Sequence, residues 1–201
     1  MTPTNVSKLI EPLHAGERFS VHTIPLHLVD RLVAAYDLKV FIETGTCLGN
    51  TVEMVCHQFE EIYTIELDPQ LTENARWKFK ANPHVHVLEG DSGKILDALV
   101  TGIQRTSFFS DAKRALIWLD AHWSGGITAR GSVDTAIVDE LKALHRAVRK
   151  DHVLMIDDLA EFVGANGYPV VDELIQRVNE INPAYSIHTL DLRRGVLIAL
   201  P

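Results

Sequence analysis

The chain has 201 residues, is 46% hydrophobic and 23% charged, and carries 27 acidic against 19 lysine and arginine residues for a formal charge of −8. This is the size and composition of one ordinary folded domain with a substantial core, which argues against disorder. The acidic balance disfavours nucleic acid as a partner, and no run of about twenty apolar residues is present to span a membrane.

Residues 1–20 mix prolines and scattered charges without periodicity and read as an N-terminal arm, serving a lid or a homodimer; residues 21–201 read as a single domain. The start of the chain lacks an apolar core of signal-peptide length. The two cysteines, Cys47 and Cys56, lack metal-ligand spacing, so both are expected to be reduced and the protein cytoplasmic.

From Pro25, the positions Leu26, Leu28, Val29, Leu32, Val33 and Tyr36 have helical spacing. Residues 39–42 then read as a short buried strand ending at Glu43, and a loop bearing Gly45 and Gly49 opens into a helix over 51–59. A second strand over 61–66 ends in Glu66, and Asp68-Pro69 starts a helix through Leu71, Ala75, Trp77 and Phe79. Trp77 is expected in the core or as the wall of a cofactor pocket. A third strand over 85–88 leads to Glu89-Gly90-Asp91-Ser92, where either of the last two could cap a helix whose stripe is Ile95, Leu96, Leu99 and Val100.

After a polar interval over 101–113, residues 115–119 form a continuous apolar run suited to a strand buried on both faces. It ends in Asp120-Ala-His122-Trp123, followed by a long loop to Ser132. Ile137, Val138, Leu141, Leu144 and Val148 predict a helix from Asp134 that closes on Arg146, Arg149 and Lys150; His145 is expected to be a surface or packed side chain. A fifth strand over 152–156 ends in Asp157-Asp158, a helix spans about 169–180, and two closing strands over 185–192 and 195–200 must pair antiparallel across their tight turn. The alternation predicts an α/β fold, a seven-stranded sheet with helices on both faces.

In such sheets ligands sit beyond the carboxyl ends of the strands, which gathers Glu43, Glu66, Asp91, Asp120, Asp157 and Asp158 on one edge. The loop after the first strand lets backbone approach a ligand closely. It is a poor dinucleotide fingerprint, because Cys47 and Asn50 stand where the second and third glycines belong, and Glu43 suits a ligand with a positive group.

Glu43-Thr-Gly45-Thr46-x-x-Gly49, Glu66 some twenty residues on, and Gly90-Asp91-Ser92 together resemble the motifs of the class I S-adenosylmethionine-dependent methyltransferases, over nearly the whole chain from about Ile24. The resemblance implies a Rossmann-like sheet in the order 3-2-1-4-5-7-6 with the last strand antiparallel. It implies S-adenosylmethionine as cofactor, held by Glu43, Gly45, Thr46, Gly49, Glu66, Asp91, Ser92 and Asp120. Asp120, Asp157 and Asp158 further resemble the metal set of the magnesium-dependent O-methyltransferases of the catechol and macrolide-sugar types, which implies Mg²⁺ and a small-molecule hydroxyl acceptor, with no nucleic-acid or membrane partner. The alternative for these acids is that Asp157 or Asp158 caps the next loop and Asp120 touches only the cofactor.

The catechol type carries a lysine where this chain has Trp123, so His122 is the nearest candidate, beside Asp120, for a catalytic role. It could accept the acceptor's proton or ligate the metal, and both roles stay open. Trp123 and Arg130 could close over the acceptor. Amine methylation is disfavoured by Asp120-Ala-His-Trp in place of Asn-Pro-Pro-Tyr. An iron-dependent hydroxylase, a non-catalytic cofactor-binding protein and an NAD-dependent oxidoreductase of related fold are the other readings.

Overall fold

The computed structural model describes residues 24–101, 113–121, 135–191 and 194–201; the arm expected over 1–20 lies outside them. The elements alternate as α1 (Leu26–Tyr36), β1 (Leu38–Thr44), α2 (Asn50–Val55), β2 (Glu61–Glu66), α3 (Pro69–Lys78), β3 (Val85–Glu89), α4 (Ser92–Thr101), β4 (Arg114–Leu119), α5 (Ile137–Arg146), β5 (Val153–Ile156), α6 (Val171–Ile181), β6 (Ser186–Leu190) and β7 (Val196–Leu200). The strands form one seven-stranded sheet in the order β3-β2-β1-β4-β5-β7-β6. β1 to β5 pair in parallel, and β7 runs antiparallel to both its neighbours. Order and direction are those the sequence implied.

Successive strand residues face opposite sides, so each central strand serves two cores. Val40 and Ile42 of β1, with Ala115, Ile117 and Leu119 of β4, pack under α4, α5 and α6. Phe41, Leu116 and Trp118 pack on the other side under α1, α2 and α3. This double burial explains why 115–119 is apolar at every position. It also means that polar residues at the strand ends alternate sides in the same way, which sets the geometry of the site.

The local chemistry marks the helix ends. Asp68 accepts hydrogen bonds from the backbone of Gln70 and Leu71 at the start of α3, where Pro69 loses no needed donor. The left-handed Asp37 closes α1 with its N–H on Val33 O. Among the described residues no helix is long and apolar enough to cross a membrane.

Two expectations are corrected. Trp77 is not a core side chain: it is 69% exposed, with the Lys80 ammonium 4.5 Å from its ring centre. Helix α5 ends at Arg146 because Ala147 turns to extended backbone (ψ 143°), which leaves Val148 at the surface. Trp77 lies two residues, about 200°, round α3 from the buried Ala75, and Val148 lies past the end of α5. His145 is a surface side chain hydrogen-bonded to Glu180 O, and both cysteines are free.

Candidate active site

β1 carries its last two side chains, Glu43 and Thr44, to opposite faces, and each face holds a buried acid. On the α2 side, Glu43 is itself that acid, 1% exposed, with Thr64 Oγ1 of the adjoining β2 donating to its Oε2 at 2.6 Å. Burial pushes its carboxyl up to about 8; the hydroxyls of Thr64 and Thr51 oppose that shift, and Asp120 and Glu66 add to it. The folded protein therefore holds a proton on Glu43 that the unfolded chain releases near 4.5. Between those values the native state binds more protons than the unfolded state, so this group makes the ligand-free protein less stable as pH rises from about 4.5 to 8. Glu43→Gln is expected to remove that part of the slope, on the order of 5 kcal/mol, in thermal unfolding scanned across that range.

The loop after β1 folds back across the sheet edge. Gly45 (φ 85°) donates its N–H to Ile65 O, and a Cβ there would sit 2.6 Å from the carbonyl oxygen of Asp120. Thr46 Oγ1 meets Thr64 Oγ1 at 2.5 Å. Cys47, at φ 48°, takes a left-handed conformation that glycine would adopt without cost, and its N–H donates to Glu66 Oε2 at 2.8 Å. Glu66 Oε1 accepts from Asp68 N–H, so a carboxylate expected to hold the cofactor pins the loop to β2. Gly49 (φ 70°) precedes α2 and lies against the Phe79 ring.

On the α5 side, Thr44 and Glu140 meet. Asp120 N–H donates to both Thr44 O and Thr44 Oγ1 at 3.2 Å. Glu140 is 1% exposed and accepts from Ser92 Oγ at 2.5 Å. Burial raises its carboxyl to about 7, against hydrogen bonds from Ser92 and Thr44 and with Asp120 and Asp91 adding to the rise. Ser92, expected to hold the cofactor, thus turns its hydroxyl into the protein, whereas Asp91 is exposed and caps the first turn of α4 by accepting from Lys94 N–H.

A cleft at the ends of β4 and β5 is bordered by Asp120, Glu140, Asp157, Asp158, Phe162 and Tyr168. The three aspartates expected to hold a metal therefore share one cleft, and as hard oxygen donors their chemistry suits a cation of the magnesium or calcium kind. Asp158 is turned by its left-handed backbone (φ 53°) toward Arg194, whose Nε lies 3.5 Å from its Oδ1 and whose guanidinium also pairs with Glu161. Among the described residues no group of three or more histidine, cysteine, aspartate or glutamate side chains is arranged to hold a metal ion. His122, Trp123 and Arg130 lie outside the described residues.

Thr44, Thr64 and Glu140 were not singled out from sequence. A signal existed for the last: Glu140 falls on the stripe of Ile137, Leu141 and Leu144, where only an acid with partners can be buried. Thr44 and Thr64 gave none, since threonine is an ordinary strand residue.

No family model matches the chain. Over 84 residues it is 30% identical to the probable ribosomal RNA small subunit methyltransferase A of Methanosarcina mazei, which is 40% of this chain and 31% of that protein. The chain thus spans about a third of the length of this curated relative. Among solved structures, an O-methyltransferase from Bacillus cereus in complex with SAH superposes with a TM-score of 0.60 at 16% identity, over 100% of this chain and 81% of that one. An rRNA methylase from Streptococcus thermophilus superposes with a TM-score of 0.51 at 9% identity, over 90% of this chain and 98% of that one. With the sheet order and the single antiparallel strand, these likenesses show that the chain has the fold of the class I S-adenosylmethionine-dependent methyltransferases.

Proposed function

We propose that this protein is an S-adenosylmethionine-dependent methyltransferase acting on a hydroxyl of a small molecule. The observation that carries the reading is the loop of Gly45 to Gly49, pressed on the Asp120 carbonyl and pinned by Glu66, at the carboxyl edge of a methyltransferase-type sheet. Glu66 and Asp120 border it with the acidic side chains that an ammonium and a sulfonium call for, and the buried Glu43 lies beneath it. The B. cereus O-methyltransferase, which shares the fold, binds SAH in that structure.

Transfer from a sulfonium needs little covalent help. The chain's part is to hold the acceptor oxygen in line with the methyl group, exclude water and take up the proton the acceptor loses. Gly45 to Gly49, Glu66, Asp91 and Ser92 would bind the cofactor, and Asp120 would stand between cofactor and acceptor. His122 would serve as proton acceptor or ligand. A divalent cation belongs to the same proposal: Asp120, Asp157 and Asp158 would hold it, Asp158 leaving Arg194, and it would lower the pKa of the acceptor hydroxyl. A small acceptor, a cytoplasmic setting and a homodimer through the N-terminal arm complete the proposal.

Ribosomal RNA as acceptor is the second reading, favoured by the partial match to the M. mazei protein and opposed by the net charge of −8.

Thermal unfolding with S-adenosylmethionine, SAH and NAD, each with and without Mg²⁺, tests this. A ligand at a hundred times its Kd adds about 2.7 kcal/mol, several degrees in a domain of this size. A shift with the adenosyl ligands is expected, with a further shift from Mg²⁺; a shift with NAD alone would overturn the reading. Methyl incorporation into ribosomal RNA from labelled cofactor separates the two acceptors.

A further inference from the structure

Burying a carboxyl is costly unless hydrogen bonds compensate, so a fully buried acid on the apolar stripe of α5 calls for a reason. Glu140 is that acid, and its partners come from separate parts of the site. Ser92 opens α4 as the last residue of the Gly90-Asp91-Ser92 segment expected at the cofactor; Thr44 closes β1, immediately before the glycine loop. The Thr44 hydroxyl in turn accepts from the Asp120 backbone at the end of β4. Close approach of α4 to α5 is allowed by Gly93, where a Cβ would sit 2.8 Å from Cβ of Asp139. Glu140 also borders the cleft that Asp120 and Asp157 share.

We propose that Glu140 is a positioning residue, which fixes the start of α4 and the end of β1 in one geometry and so sets the adenosyl pocket against Asp120. The role rests on the cofactor reading above. It requires a side chain of this length with an acceptor oxygen for Ser92, and it does not require a negative charge. Burial, with Asp120 and Asp91 adding to it, raises the carboxyl to about 7, and the protonated form also keeps an acceptor oxygen.

SAH affinity by calorimetry, well below the unfolding midpoint of each variant, tests the role. Glu140→Gln keeps length and acceptor and is expected to bind SAH within about threefold of wild type. Glu140→Asp, shorter by one methylene, and Glu140→Ala are each expected to bind about tenfold more weakly, the scale of one hydrogen bond to a buried acid. Equal affinity of the Asp and Gln variants overturns the proposal, as does a Gln variant as weak as Ala, and this comparison stands even if Glu140→Ala fails to fold. Wild-type protein that binds no SAH would instead remove the cofactor reading, and this role with it.

Discussion

Gly45→Ala is expected to abolish SAH binding and to lower the unfolding midpoint by roughly 10 °C. Two costs add at this position. The backbone stands at φ 85°, where an L side chain costs about 1–2 kcal/mol. The new Cβ would also lie 2.6 Å from the carbonyl oxygen of Asp120 and 3.1 Å from Cα of Ala121, both backbone atoms that cannot rotate away. Relieving that contact means moving the loop or the end of β4, at a further cost of about 1–3 kcal/mol. At roughly 3 kcal/mol in total, a 201-residue domain shifts by about ten degrees. Either displacement separates the loop from Asp120, so binding should fall further than stability. Calorimetry with SAH and a thermal scan of the same sample check both. A variant that binds normally would show that the glycine loop is not the cofactor site. Gly49→Ala meets the Phe79 ring at 2.8 Å, a side chain with some freedom, and is expected to be milder.

Asp157→Ala is expected to reduce turnover about a hundredfold or more while leaving S-adenosylmethionine affinity nearly unchanged. Asp157 follows β5, its N–H bonded to Leu119 O, and borders the cleft with Asp120 on the side away from the glycine loop. A group placed there acts on the acceptor, and removing one preorganised electrostatic group from a reacting centre costs about 10²–10³ in rate. The assay is SAH formation from S-adenosylmethionine with any hydroxyl acceptor that the wild-type protein methylates, with and without chelator. Loss on chelation, recovered by Mg²⁺ in wild type but not in the variant, would support the metal. Near-normal turnover in the variant would sink metal assistance.

Much of the site was legible because its residues end strands. A strand that alternates between two cores must be apolar at nearly every position, so the first acid after each run stands out: Glu43, Glu66, Asp120 and Asp157 are visible this way. Trp77 misled because an apolar side chain was counted without its spacing: two residues turn a helix by about 200°, which puts Trp77 on the face opposite the buried Ala75. Glu140 was overlooked because an acid in the first turn of a helix ordinarily serves the dipole. Its place on the stripe of Ile137, Leu141 and Leu144 points to burial, and the approach of α4 supplies the Ser92 partner that permits it. Likewise, nothing in Asp157-Asp158 says that the second will turn to Arg194, 36 positions away in the chain.

The sequence by itself determined the order and type of the elements, the parallel sheet with its final hairpin, and the edge where the chemistry lies. Those follow from periodicity and from short-range rules of turns and caps, which act within a few residues. The tertiary structure decided which acids are buried and protonated, which face their neighbours and which face a ligand. Those states depend on the local dielectric and on hydrogen-bond partners from other elements. Glu43 meets Thr64 from β2 and Glu140 meets Ser92 from α4 only because the sheet order sets β1 between β2 and β4, with α4 packed against α5.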